Sequence, residues 1–280
     1  MDIYDKIRRK TGKVLPRRFH CYCIGAAKTA TTSISSMFKH NFDAQHEANI
    51  QETNHNLIHY LENKTTQEQM LAYLKERDQE LKLELESTHS LIYVADELST
   101  LFPEAKFIVS IREPMDWIRS RINFHFKKHP PEWEEYRQYF WMDKTESYAD
   151  EEALLKENDL ASLDAYLSQY AQHYSLVEKN IPQDRKLIIR MDDISHKNTE
   201  IAEFLGIKAS KIIPEHSNSQ PNKAAFIDNL DQQFVTQKIW LHCQDIIKEF
   251  FPEQVAYYKE KLGNIPVTNP NQKAEEEGIQ

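Results

Sequence analysis

The chain has 280 residues, 40% hydrophobic and 28% charged, with 13 Phe, 13 Tyr and 4 Trp: enough for a soluble globular core in one large domain or two small ones. Its 35 basic and 44 acidic residues leave a formal charge of −9, which argues against a nucleic-acid binder, because neutralising phosphates needs surplus Lys and Arg. Three cysteines without a C-x-x-C make no disulfide framework, and neither a secretory leader nor a run of 18 apolar residues occurs, so the expectation is a cytoplasmic protein without a membrane partner.

FHCYCIG (19–25) is a short apolar strand ending at Gly25, with Cys21 and Cys23 on one face as small buried hydrophobes. Ile34, Met37 and Phe38 recur at helical spacing, so a helix starts near Thr31. Residues 63–86 predict one long helix, with a capping box from Thr65 and Glu68 and a stripe of Met70, Tyr73, Leu74, Leu81 and Leu85. LIYVAD (91–96) predicts a second strand ending at Asp96. AKFIVSI (105–111) predicts a third, ending at Arg112, and Pro114 opens a helix.

Residues 125–165 are dense in aromatics. Trp133, Tyr136 and Phe140 fit one buried helix face, leaving one or two rings for the mouth of a pocket. KLIIRMDD (186–193) predicts a fourth strand. A helix follows from Asn198 with Ile201, Phe204 and Leu205 inward, stopped by Gly206. Residues 228–263 read as helical, and 266–280 as a polar, disordered tail behind a single domain over 1–265. Short strands alternating with amphipathic helices imply an α/β fold, a parallel β-sheet flanked by helices on both faces, with ligands at the carboxyl ends of the strands.

The turn IGAAKTATTS (24–33) links a strand to a helix, which presents first-turn N–H groups to an anion. Ala26, Ala27 and Ala30 allow close approach to the backbone, Lys28 adds positive charge, and Thr31 and Thr32 add hydroxyls. A Walker A loop would place glycine at Ala30 and lysine at Thr31, and Lys28 comes too early for it. A nucleotide kinase or triphosphatase using Lys28, with Asp96 on Mg²⁺, stays open as an alternative, as does a non-catalytic nucleotide-binding module. Arg112 at a strand end and Ser120, eight residues on and about 2.2 helical turns away, form a second candidate anion site.

AKTATTS (27–33), FPEAKFIVSIREP before Arg112, Ser120 eight residues later, and MDDI followed by IAEFLGI together resemble the sulfotransferases that use 3′-phosphoadenosine 5′-phosphosulfate (PAPS). The resemblance runs from about residue 20 to about 225. It implies the P-loop NTPase-like sulfotransferase architecture and an in-line sulfuryl transfer without a metal, leaving 3′,5′-adenosine bisphosphate as product. It implies that Ala26, Ala27, Lys28, Thr29, Ala30, Thr31 and Thr32 cradle the phosphosulfate, with Lys28 steadying the leaving phosphate.

It further implies that Arg112 and Ser120 hold the 3′-phosphate and that Lys223, in HSNSQPNK (216–223), closes over the nucleotide. Met191 stands where an aromatic residue often meets the adenine. For the general base, Glu47 stands where the glycan- and protein-tyrosine-modifying branches tend to place a catalytic glutamate, with His46 second. The phenol-modifying branch would use a histidine before the arginine strand, a region offering Asp96 and, further back, His89. The absence of a long basic stripe favours a small-molecule acceptor offering a hydroxyl or amine. His55 and His59 share a helix face, but no carboxylate or cysteine completes a metal set at recognisable spacing, so no metal is expected.

Overall fold

The computed structural model describes residues 16–127, 130–142, 147–214 and 225–263. Lys223, the chain up to residue 15 and the 266–280 tail lie outside the described residues. The chain clusters into two compact units that interleave in sequence: one from 1–112, 129–139 and 175–221, the other from 113–128, 140–174 and 222–280.

The first unit holds the expected α/β architecture. Five parallel strands, β1 (Cys21–Cys23), β2 (Ala44–His46), β3 (Leu85–Ser87), β4 (Lys106–Ile111) and β5 (Lys186–Arg190), stand in the order β2-β3-β1-β4-β5. One face carries Cys21, Cys23, Leu85, Ile108 and Ile189. It packs on Ile34, Met37 and Phe38 of the Thr31–Lys39 helix and on Ile201 and Leu205 of the Asn198–Leu205 helix. On the other face Tyr22 stacks on Phe107, with ring centroids 5.7 Å apart, and Glu86 receives Arg77 from the Gln67–Leu81 helix. Cys21 and Cys23 are fully buried free thiols, and burial raises both pKa values.

Two expectations need correction. LIYVAD is not a strand: His89–Val94 is a 3₁₀ helix and Ala95–Leu101 an α-helix. An uninterrupted apolar run suits a buried helix as well as a buried strand. The predicted 63–86 helix ends at Leu81, where Lys82 takes a left-handed φ of 47°, and β3 follows. Its cap is Thr66 with Gln69, one residue later than expected, each side chain bonding the other's backbone N–H at 3.2 and 2.8 Å.

Strand β3 and the residue before it bury a carboxylate each, Glu86 within the strand and Glu84 just ahead of it. Glu84 meets Arg18 at 2.7 Å and Glu86 meets Arg77 at 2.6 Å, and buried charge requires such partners.

The second unit is helical, with Pro114–Lys127, Ala153–Glu157, Gln232–Phe250 and Val255–Leu262 and the Leu163–Tyr174 part of a longer helix. The predicted 228–263 helix is thus two, broken where Pro252 follows Phe251. Trp117 stacks on Tyr170 at 4.1 Å, and the Arg121 guanidinium lies 3.9 Å from the Trp141 ring centroid. Asp164 accepts from Lys238 at 2.5 Å and pairs with His242 at 2.8 Å. Burial alone would raise its pKa, but these bonds hold it down at about 2.

Candidate active site

All five strands run the same way, so their carboxyl ends gather at one edge of the sheet. That edge bears the 24–30 turn after β1, His46 and Glu47 at the end of β2, His89 after β3, Arg112 after β4 and Met191–Asp193 after β5.

The turn is pinned from beneath. Gly25 sits so close to β4 that a methyl group there would meet Ser110 Oγ at 2.1 Å and its backbone N and O at 2.6 Å, so only glycine fits. Thr29 is fully buried; its hydroxyl donates to Ala26 O at 2.6 Å and accepts from Ser110 Oγ at 2.7 Å. The Thr29 side chain is therefore engaged inward, as scaffold for the turn. Lys28 and Ala30 both take left-handed backbone, with φ of 70° and 73°. Ala30 occupies the N-cap of the Thr31–Lys39 helix but offers no side-chain cap to the first-turn N–H groups.

Arg112 reaches this turn: its Nη1 donates to Lys28 O at 3.4 Å. The two cationic residues thus lie on one rim, not on opposite sides of the sheet. Ser120 lies half-buried on the Pro114–Lys127 helix, in the second unit.

On the β2 side, Thr31 Oγ1 and Thr32 Oγ1 both stand 3.2 Å from His46 Nε2. Burial, then the positive charges of Lys39 and Lys28, push the His46 pKa down to about 4, so the ring is neutral near pH 7. With its proton on Nδ1, the single lone pair of Nε2 accepts from one hydroxyl of the two. Strict strand alternation would send His46 and Glu47 to opposite sides. Instead Glu47 adopts a φ of 55°, leaves the strand, and brings Oε1 within 3.7 Å of His46 Nε2.

Trp133 Nε1 donates to Glu47 Oε2 at 3.2 Å, and the Trp133 ring stacks on His89 with centroids 4.6 Å apart. Tyr136 packs edge-on against His89 at 5.4 Å. Of the aromatics noted in the sequence, Tyr136, Phe140 and Trp141 are buried, whereas Trp133 is half-buried beside the carboxylate. Asp96 is exposed in the first turn of the Ala95–Leu101 helix, not at a strand end, which removes the basis for its Mg²⁺ role. His89, seven residues earlier, occupies the strand-end position instead.

Arg77 underlies this segment. It donates to Glu86 at 2.6 and 2.5 Å, to Ala48 O at 2.7 Å and to Thr53 Oγ1 at 3.0 Å. Thr88 Oγ1 also donates to Glu86 Oε1, at 3.0 Å. One guanidinium thereby fixes the backbone beside Glu47 and, through Glu86, the turn into His89. Sequence reading did not single out Arg77; its signal was the alternation LELES, whose glutamates need cations once the segment is a strand.

A pinned strand–turn–helix with a lysine, an arginine on the same rim and a histidine–carboxylate pair beside the first helical turn thus gather at one edge of the sheet. The family model described as "Sulfotransferase domain" matches residues 21–223, most of the chain, and the protein belongs to that family. A sulfotransferase from Alicyclobacillus acidocaldarius is similar in structure, at 15% identity over 86% of this chain and 94% of that one, with a TM-score of 0.43. The sulfotransferase domain from the curacin biosynthetic pathway is similar at 12% identity over 95% and 99% of the two chains, with a TM-score of 0.37. No curated protein matches the sequence.

Proposed function

We propose that this sulfotransferase moves the sulfuryl group of PAPS to a hydroxyl or amine of a small-molecule acceptor, in the cytoplasm and without a metal ion. The observation that carries the reading is the shared rim: the lysine turn and Arg112 touch through the Lys28 carbonyl. A donor phosphorylated at both ends of its ribose needs two cationic anchors on one rim. Ala26, Ala27, Ala30 and the first helical turn would receive the phosphosulfate, and Lys28 would offset charge on the departing phosphate. Arg112 offers a planar fork suited to the 3′-phosphate.

The acceptor must lose a proton as its oxygen or nitrogen attacks sulfur. Glu47 is the first choice as base: it is ionisable, half-buried, and oriented by the Trp133 indole. His46, neutral and facing Thr31 and Thr32, is the second. His89 is a further candidate, because its ring stacks on the same tryptophan that bonds Glu47.

Calorimetry with 3′,5′-adenosine bisphosphate and with ADP–Mg²⁺ tests the donor. The bisphosphate should bind, and Arg112→Ala should weaken it about tenfold or more, as loss of a charge-assisted contact does. Tight binding of ADP–Mg²⁺ alone would overturn the assignment. With labelled PAPS and a panel of phenols, alcohols and amines, Lys28→Ala should lower turnover about 10²–10³-fold. Among Glu47→Gln, His46→Asn and His89→Asn, the largest fall in kcat identifies the base, and full activity in all three removes them from the mechanism.

A further inference from the structure

The Ile50–Leu61 helix places His55 and His59 four residues apart on one face, with ring centroids 4.1 Å apart. Eighty positions away in the chain, Glu135 comes to the same face from the short Glu134–Arg137 helix. Its two carboxylate oxygens lie 3.0 and 3.2 Å from His55 Nδ1. One donor atom from each of the three residues falls within 4.8 Å of the others. His55 and Glu135 are about half exposed, at 51% and 46%, so an ion can enter from solvent.

We propose that His55, His59 and Glu135 form a binding site for a divalent ion of the zinc type, with solvent completing the coordination. Two imidazoles and one carboxylate are a donor set suited to zinc and its neighbours, whereas magnesium and calcium favour all-oxygen sets. Zinc bonds to such donors run about 2.0–2.2 Å, so neighbouring donors in a tetrahedron stand about 3.3 Å apart. The Glu135–His55 pair is already near that separation. His59 closes the remainder by side-chain rotation, a motion of the ps–ns scale for a side chain that is not locked in the core.

The site is not a catalytic one. Its place in the fold gives it a positioning role, because Glu135 lies between Trp133 and Tyr136, the two rings that pack on His89. Trp133 also holds Glu47. An ion on Glu135 would tie this aromatic segment to the Ile50–Leu61 helix. Ion binding stands independently of the sulfuryl-transfer reading; only the consequence for Glu47 and His89 rests on it.

The test uses the untagged full chain, stripped with chelator and titrated with zinc chloride in a calorimeter. One equivalent should bind, and His59→Gln or Glu135→Gln should each weaken it tenfold or more, while His40→Gln leaves it unchanged. No uptake, or an affinity in His59→Gln and Glu135→Gln equal to the parent's, would overturn the site. Because these side chains sit on the surface, the variants should fold as the parent does, and circular dichroism checks this. Hydrogen exchange gives the second readout: amides of residues 131–137 should slow on zinc addition in the parent chain but not in Glu135→Gln. Unchanged exchange on binding would overturn the positioning role.

Discussion

The turn after β1 and the segment after β2 face each other across the sheet edge, yet they are built in opposite ways. The turn is held mainly through backbone: Gly25, Thr29 and Ala30 set its shape, and Ser110 on the adjacent strand, 81 positions beyond Thr29, supports it. The β2 segment has little local determination. Glu47 is oriented by Trp133, 86 positions on, and the neighbouring Ala48 carbonyl by Arg77, 29 positions on. On the proposed roles, donor binding would rest on the turn and its support from β4, and proton removal on the packing of Trp133 and Arg77. The two functions should be separable by mutation.

The sharpest separation comes from Arg77→Met. It leaves Glu86, only 4% exposed, without its buried cation and should cost about 3–5 kcal/mol, read from urea unfolding. In the fraction that stays folded, affinity for 3′,5′-adenosine bisphosphate should hold near the parent value while turnover falls at least tenfold. Equal loss of both would show that the two regions are not independent.

A smaller effect is expected where they touch, at His46. Its folded pKa of about 4 lies below the ordinary 6.5, because burial and the charges of Lys39 and Lys28 oppose protonation. The unfolded chain therefore takes up the proton first as pH falls. This destabilising contribution is absent above pH 6.5, grows as the pH drops towards 4, and levels off below that. Thermal midpoints measured from pH 7 to pH 4 should fall more steeply in the parent than in His46→Asn. Parallel curves would mean that the ring is not held neutral.

The smallest effect belongs to the turn alone. Ala30 carries a φ of 73°, a conformation that costs a non-glycine residue about 1–2 kcal/mol. Glycine relieves it but adds about 0.5–1 kcal/mol of unfolded-state freedom. Ala30→Gly should stabilise the chain by up to about 1 kcal/mol in the same urea assay, with turnover intact. A loss of stability would show that packing of the methyl group outweighs the backbone strain.

The same contrast explains what the sequence made legible. The parallel α/β fold, β1, β4, β5, the Thr31 helix and the Arg112 strand end follow from local periodicity and turn chemistry. β3 was hidden because Glu84 and Glu86 read as surface residues of a helix; their partners Arg18 and Arg77 lie 66 and 9 positions away. Misplacing that strand on LIYVAD put the strand end at Asp96 and left His89 further back, away from it. The pairing of His46 with Glu47 was invisible because it turns on one backbone dihedral, the left-handed φ of Glu47. Glu135 was invisible beside the two histidines for the simplest reason, distance along the chain.

Gly25 presses on Ser110 of β4, and Arg112 follows two residues later, just past the end of that strand. The spacing between the backbone of the lysine turn and that of Arg112 is consequently gauged by close contact with β4. On the proposed function, such a calliper would favour a ligand whose two anionic ends match that spacing.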